Sequence, residues 1–155
     1  MDGGVIMSEL SYIHFKVATD ISMASVVITD EKANILYVND AFTENTGYTL
    51  DEVKGKNPSI LQGDDANNII DYKEMWEILT TQKEWNGEFC NKDKNGNHFW
   101  EFAHILQVTH EDKIYYVGVK QNITRLKSVE EKLLVLHNKA EHLLLAVRVF
   151  LAKPS

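Results

Sequence analysis

The stretch Gly55-Lys56-Asn57-Pro58-Ser59-Ile60-Leu61-Gln62-Gly63 lies between a polar helical segment and a longer one that carries aromatic residues. Before it, residues 40–55 contain breakers at 45–47 inside helix-forming sequence, which predicts two short helices rather than one long one. After it, a turn-rich segment predicts the start of a helix that runs to about Lys83. The decisive stretch is therefore a connection between helices.

Runs of β-branched and aromatic residues predict five strands. They cover residues 25–30, 35–39, 85–93, 99–109 and 114–124. Short polar segments join them, and the Asn95-Gly96-Asn97 link is the strongest hairpin signal in the chain. With the helices on one face of an antiparallel sheet, the pattern predicts an α+β fold.

Composition narrows the class of protein. A chain of 155 residues with 44% hydrophobic content can bury one core. The net charge of -7 argues against a nucleic-acid partner, because phosphate binding needs clustered Lys and Arg. One cysteine, Cys90, fits a reducing compartment, and the apolar run at 143–150 is too short to span a membrane. We expect a cytoplasmic protein with no membrane partner.

Both ends of the chain show helical periodicity. Residues 1–24 carry an apolar stripe at Leu10, Ile13, Val17 and Ile21, which predicts an amphipathic helical cap. Residues 125–155 repeat apolar positions in steps of three and four over nearly four heptads, which predicts a coiled coil. The alternative is a single amphipathic helix folded back on its own sheet. We expect a homodimer formed through the N- and C-terminal helices.

Seven motifs between residues 25 and 124 resemble the PAS family of sensory domains. In chain order they are VVITD, VNDAF, TGYTLDEVKGKNP, MW, EWNGEF, NKDKNG and VGVKQNIT. The resemblance implies the PAS fold over 25–124, with five antiparallel strands in the order 2-1-5-4-3. The stretch 55–63 is similar to the box that wraps a flavin in light-sensing PAS domains, but Pro58 stands where those proteins carry the photochemical cysteine. Proline there is typical of PAS domains in bacterial sensors, including redox sensors that bind flavin adenine dinucleotide (FAD).

The same resemblance implies ligand contacts for part of this box. Asn57 and Gln62 match residues that contact the flavin ring edge and ribityl chain. Ser59 replaces an arginine that binds the phosphate of flavin mononucleotide (FMN), which favours FAD. Trp85 matches an aromatic residue beside the pocket of dinucleotide-binding sensors, and the alternative is that it only covers the sheet.

Strand parity decides which side chains can share a pocket. A three-residue loop at 95–97 would place Asn91 opposite Glu101, and a two-residue loop would place it opposite Trp100. The resemblance favours the first, because light-sensing relatives hold two asparagines there. Glu101 departs from that pattern, and Cys90 has the opposite parity to Asn91.

The last hairpin adds a second charged residue to this face. A two-residue turn at Glu111-Asp112 would place Ala103 opposite Lys120 and Glu101 diagonal to it. Lys120 stands where light-sensing relatives have glutamine. Glu101 and Lys120 would form a buried pair, either structural or in contact with a ligand, unless Lys120 extends past the sheet edge to water. Near a flavin, Lys120 would raise the redox potential.

The sequence contains no nucleophile elbow, phosphate-binding glycine loop or metal-ligand spacing. We therefore expect that the protein is not an enzyme and has no metal site. We expect a sensory module that binds a flavin, FAD rather than FMN, and relays its redox or light state to the C-terminal helix of a dimer. Its partner would be an output domain or another protein. The alternatives are a cofactor-free PAS scaffold for dimerisation and a sensor of a small organic ligand or haem.

Overall fold

A computed structural model describes residues 23–63 and 70–154. The strands are β1 (Ser25–Asp30), β2 (Ile35–Val38), β3 (Glu84–Lys92), β4 (His98–His110) and β5 (Lys113–Asn122). The helices are α1 (Asp40–Thr46), α2 (Leu50–Val53), α3 (Tyr72–Gln82) and α4 (Thr124–Leu151), with a 3₁₀ helix at Pro58–Leu61. The helical cap predicted over residues 1–24 lies outside the described residues, except for its last two positions.

The five strands form one antiparallel sheet in the order β2-β1-β5-β4-β3. This confirms the α+β architecture and the predicted strand order. The two short helices predicted over 40–55 are also present, as α1 and α2. Since β5 is the central strand and its side chains alternate between the two faces, every second residue from Tyr116 to Lys120 is buried at the middle of the sheet.

The predicted register of the β3–β4 hairpin is wrong by two residues. Asn91 pairs with Phe99, and Glu101 pairs with Phe89. The loop has five residues, because the Asp93 carboxylate accepts hydrogen bonds from the backbone N–H groups of Asn95 and Asn97 at 2.9 Å and so closes the turn itself. A shift of two residues preserves parity, so Asn91 and Glu101 still share one face, diagonally.

The β4–β5 hairpin has the predicted turn. Glu111 and Asp112 both have positive φ, 48° and 61°, as a tight two-residue turn requires. Ala103 therefore lies opposite Lys120, and Glu101 is paired with Asn122. The predicted diagonal relation between Glu101 and Lys120 is confirmed.

Two clusters of buried apolar residues lie in the described part of the domain. The first core cluster consists of Val27, Ile35, Val38, Phe42, Val53 and Leu61. The second core cluster consists of Met75, Phe89 and Ala103, with the partly buried Ile70, Tyr72, Trp76, Trp85 and Ile105 against it. The first belongs mainly to β1, β2, α1 and α2; the second belongs to α3, β3 and β4.

The α4 helix forms a separate compact unit, residues 123–155. None of its residues is buried, and the apolar positions Leu126, Leu133 and Leu143 are 55%, 61% and 68% exposed. The predicted helix is present, and its coiled-coil pairing stays a prediction. Among the described residues, no helix is long and apolar enough to cross a membrane.

Candidate ligand-binding site

A cavity of about 280 Å³ opens on the helix-covered face of the sheet. Its lining combines amide, cationic, aromatic and apolar side chains: Thr29, Ala33, Asn57, Pro58, Ser59, Gln62, Tyr72, Met75, Trp76, Phe89, Asn91 and Lys120. Cavities of this kind, mostly apolar with a few converging polar groups, are typical of small-molecule sites.

The stretch 55–63 forms one wall. Asn57 caps the 3₁₀ helix by accepting the Ser59 N–H at 2.9 Å, and Pro58 follows at a helix start where no N–H donor is needed. The helix ends at Gln62, whose N–H donates to the Ser59 carbonyl at 2.9 Å. This short helix presents both amide side chains, Asn57 and Gln62, at the cavity.

Gly63 anchors that wall to β3. Gln62 forms an isolated β-bridge with Asn91, and the Gly63 N–H donates to the Cys90 carbonyl at 3.4 Å. A Cβ on Gly63 would lie 2.9 Å from that carbonyl oxygen, so a glycine allows the close approach. The bridge brings Gln62 and Asn91, which are 29 positions apart in the sequence, into one site.

Helix α3 covers the opposite side. Asp71 caps it by accepting the N–H groups of Lys73 and Glu74 at 2.9 and 3.2 Å. Met75 belongs to the second core cluster and Tyr72 and Trp76 pack against it, and all three line the cavity. This face of α3 therefore packs against the core and lines the cavity at the same time.

A buried pair of opposite charges lies at the cavity, and Lys120 is its lining member. Glu101 is 1% exposed and Lys120 is 7% exposed, and Lys120 Nζ lies 4.0 Å from Glu101 Oε2. Asn91 Nδ2 donates to the same oxygen at 2.8 Å, and Lys120 Nζ lies 5.4 Å from the centre of the Phe89 ring. Each charge would be costly to bury alone, and the pair together with the amide compensates both.

The structure places the six predicted site residues in two groups. Four of them line the cavity: Asn57, Gln62, Asn91 and Lys120. Glu101 lies behind the wall, in contact with two of those four. Trp85 does not line the cavity; its indole lies over Gly87 and 5.3 Å from the Phe89 ring.

Sequence reasoning missed the contribution of the β1–β2 hairpin. Thr29 and Ala33 both line the cavity, and Ala33 adopts φ 63° in the turn. Thr29 lies opposite Tyr116 on β5, the strand that also carries Lys120. The alternation of β1 gives the face of Thr29, but only the pairing of the first strand with the last brings it to this site.

Tyr116 lies on β5 near the cavity, in contact with the lining residue Trp76. Burial raises the pKa of the Tyr116 phenol, and the charge of Glu31 raises it further, so this residue keeps its hydroxyl proton. Its ring meets Trp76 edge-on at 5.1 Å.

Cys90 lies opposite Trp100 and has the opposite parity to Asn91. Among the residues described, no three His, Cys, Asp or Glu side chains are grouped as metal ligands.

Comparison with known proteins gives concordant matches. A family model described as "PAS domain" matches residues 23–125. The chain is similar to the nitrogen fixation regulatory protein of Klebsiella oxytoca, with 31% identity over 119 residues, 74% of this chain and 24% of that protein. It is also similar to the blue-light photoreceptor of Listeria innocua, with 34% identity over 111 residues, 69% of this chain and 44% of that protein.

A solved structure agrees at the level of the fold. The PAS domain of a protein from Colwellia psychrerythraea superimposes with a TM-score of 0.65 and 20% identity, over 74% of this chain and 98% of that one. By contrast, the chain spans less than half the length of the two curated relatives named above. The matches therefore concern one domain of longer proteins.

Proposed function

Because the chain belongs to the PAS domain family, whose members are sensory signal-transduction modules, we propose that its cavity binds the ring system of a flavin and that the domain senses the state of that flavin. The observation that carries the proposal is the convergence of three amides and one ammonium, from Asn57, Gln62, Asn91 and Lys120, on a cavity with an aromatic opposite side. A flat heterocycle with polar atoms along one edge complements such a site.

The cavity suits the ring better than a whole dinucleotide. Its volume of about 280 Å³ lies just below the roughly 300–1,000 Å³ typical of small-molecule pockets. A bound flavin would keep its ring inside and its ribityl and phosphate groups toward solvent. Ser59 lines this cavity in place of a cationic side chain, which supports FAD rather than FMN. When bound, the flavin would supply reversible redox chemistry and light absorption.

Pro58 bears on the kind of signal. It lies in the cavity lining and has no thiol, and no described cysteine lines the cavity. A light response through a cysteine adduct is therefore not available at this position. This favours redox state over light as the signal. In the same proposal, the protein acts in the cytoplasm as a regulator and not as a catalyst.

Lys120 would tune that redox response. Its ammonium lies at the cavity, partly compensated by Glu101 at 4.0 Å. A positive charge beside a flavin stabilises the more negative reduced form, so Lys120→Gln should lower the midpoint potential. Lys56→Gln removes the same charge from an exposed position that does not line the cavity and is the matched control. If both variants keep the wild-type potential, Lys120 has no such role.

The relay would start on the same strand. Lys120 lies on β5, and α4 begins at Thr124, four residues later. A displacement of β5 could thus favour one of two packings of α4 in a homodimer, and through it an output domain or a partner protein. Only a difference in free energy between the two packings can switch such a system.

The test is the visible absorption of freshly purified protein, followed by chromatography of any chromophore released on heating. Oxidised flavin should give bands at about 450 and 370 nm, and the released compound should elute as FAD. Asn91→Leu, with the fold checked by circular dichroism, should retain less flavin. A wild-type protein that stays colourless with excess flavin would overturn the proposal and favour a cofactor-free scaffold or a sensor of another ligand.

A further inference from the structure

We propose that Glu101 is a positioning residue: it fixes the Asn91 amide with its oxygen toward the cavity, so that the site selects a ligand edge with an N–H donor. Glu101 does not line the cavity, whereas Asn91 does. Glu101 therefore acts on the ligand through Asn91. The inference rests on the proposed flavin function and names the part of the flavin that Asn91 would recognise.

The orientation of the amide follows from the chemistry of its partner. A carboxylate oxygen accepts hydrogen bonds and does not donate them, so the nitrogen of the Asn91 amide must face Glu101. The contact is short, with Asn91 Nδ2 2.8 Å from Glu101 Oε2. The amide is planar, so Oδ1 then points away from Glu101. A hydroxyl or a carboxamide in place of Glu101 could accept or donate, and would leave both orientations open.

Lys120 reinforces this arrangement through the same carboxylate oxygen. Its ammonium lies 4.0 Å from the same carboxylate oxygen and supplies the countercharge for a side chain that is only 1% exposed. Both Glu101 and Asn91 are buried, so an amide turned the wrong way would leave two acceptors facing each other without water. The cost of that arrangement makes one orientation dominant.

The resulting wall has a defined hydrogen-bonding pattern. Asn91 presents an acceptor, and Lys120 on the same wall presents a positively charged donor. The complementary ligand edge carries an N–H donor beside a carbonyl or ring-nitrogen acceptor. The imide edge of a flavin, in which a ring N–H lies between two carbonyls, has that pattern. An aminopyrimidinone edge has the reverse, because its ring nitrogen accepts.

Two probes separate these patterns. Purified, flavin-depleted protein is titrated with riboflavin and with 4-amino-4-deoxyriboflavin, whose ring nitrogen at the imide position accepts instead of donating. The wild type should bind riboflavin at least roughly tenfold more tightly, because a site built for a donor rejects a ligand that lacks it. In Glu101→Gln the preference should fall by at least about fivefold, since the new amide pair can turn as a unit.

Two control variants distinguish a specific loss of ligand preference from a general disturbance of the fold. Glu44→Gln makes the same chemical change at an exposed position of α1 that does not line the cavity, and it should keep the wild-type preference. Glu101→Gln combined with Lys120→Gln removes both charges together, so no buried charge is left alone, and it should also show the reduced preference. A second measurement needs no variant: riboflavin labelled with ¹⁵N at the imide nitrogen should show an N–H signal protected from solvent exchange in the wild-type complex.

The outcomes distinguish this inference from the function on which it rests. Equal preference in the wild type and in both Glu101 variants, or a wild type that prefers the amino analogue, would overturn the role of Glu101 and leave flavin binding intact. Rapid exchange of the imide proton in the wild-type complex would do the same. A wild type that binds neither probe would overturn the flavin function itself, and the inference with it.

Discussion

The two halves of the sheet domain use buried polar groups in different ways. In the half built from β1, β2, α1 and α2, Asn39 accepts the N–H groups of Val26 and Phe42, and the Thr46 hydroxyl donates to the Phe42 carbonyl. In the half built from α3, β3, β4 and β5, Asn91 and Glu101 bond to each other beside a cavity. In the first half, the polar side chains bond to backbone groups and stabilise the chain around α1. In the second half, Asn91 and Glu101 bond to each other beside the cavity, where they can orient a ligand.

Matched phenylalanine truncations should show the largest difference between the halves. Phe42 is 1% exposed in the first core cluster, and Phe42→Ala should cost about 3–5 kcal/mol of unfolding free energy. Phe89 already borders the cavity, so Phe89→Ala removes fewer contacts and should cost about 3 kcal/mol or less. Urea denaturation measures both. Equal losses would mean that the second half is packed as tightly as the first.

Variants of Glu101 and Lys120 test whether this buried charged pair makes the second half less stable than an apolar pair would. Glu101→Leu alone leaves Lys120 buried without its countercharge and should cost about 3–5 kcal/mol. Adding Lys120→Met should recover most of that loss, because well-packed apolar replacements of buried ion pairs are about neutral. The four proteins of this double-mutant cycle are compared by urea denaturation without ligand. A double variant as unstable as the single one would make the pair structural instead.

Parity proved easier to predict from sequence than register. Alternation along β3 and β4 sets Asn91 and Glu101 on one face, and the β4–β5 turn sets Lys120 beside them. The β3–β4 register depended on loop length, and there the Asp93 side chain adds two residues to the loop. Local side-chain bonds of this kind have no periodic signature. Asn91 and Glu101, predicted directly opposite each other, still meet across a diagonal, because a shift of two residues keeps both on one face.

Long-range pairing limited prediction of the rest of the site. Thr29 and Ala33 reach the cavity because β1 joins the sheet next to β5, a pairing across almost the whole domain. The chain order of the strands does not reveal it, and only the family resemblance implied it. Trp85 shows the opposite case: its motif matched, but its indole lies over Gly87, away from the cavity lining.

Two glycines of the same stretch give a smaller and more specific contrast. Gly63→Ala would place a methyl group 2.9 Å from the Cys90 carbonyl oxygen, so the wall must move, at about 1–3 kcal/mol. Gly55→Ala meets open space but keeps φ 78°, which costs about 1–2 kcal/mol. Only Gly63→Ala should also weaken flavin binding, measured by fluorescence titration. Equal binding in both variants would show that the Gly63 approach does not shape the cavity.

The smallest predicted effect concerns the contacts of Lys94, which connect the two halves of the domain. Lys94, in the β3–β4 loop, donates its backbone N–H to the Thr46 carbonyl at 2.8 Å and forms an ion pair with Glu52 on α2. The Lys94 side chain, and then the Thr49 N–H, hold the pKa of the Glu52 carboxyl below its ordinary value. Both charged groups are exposed, so the effect on stability is small but has a definite sign.

A lowered pKa in the folded state means that the unfolded chain binds more protons as the pH falls. The contribution of Glu52 is complete above the unfolded value, about pH 4.3, and is lost as the pH falls through the lowered folded pKa. Glu52→Gln should therefore make the acid limb of the stability profile shallower, as measured by urea midpoints between about pH 6 and 3. Glu44→Gln, an exposed glutamate of α1, is the control. If Glu52→Gln keeps the wild-type acid limb, the ion pair between Lys94 and Glu52 adds no pH dependence to stability.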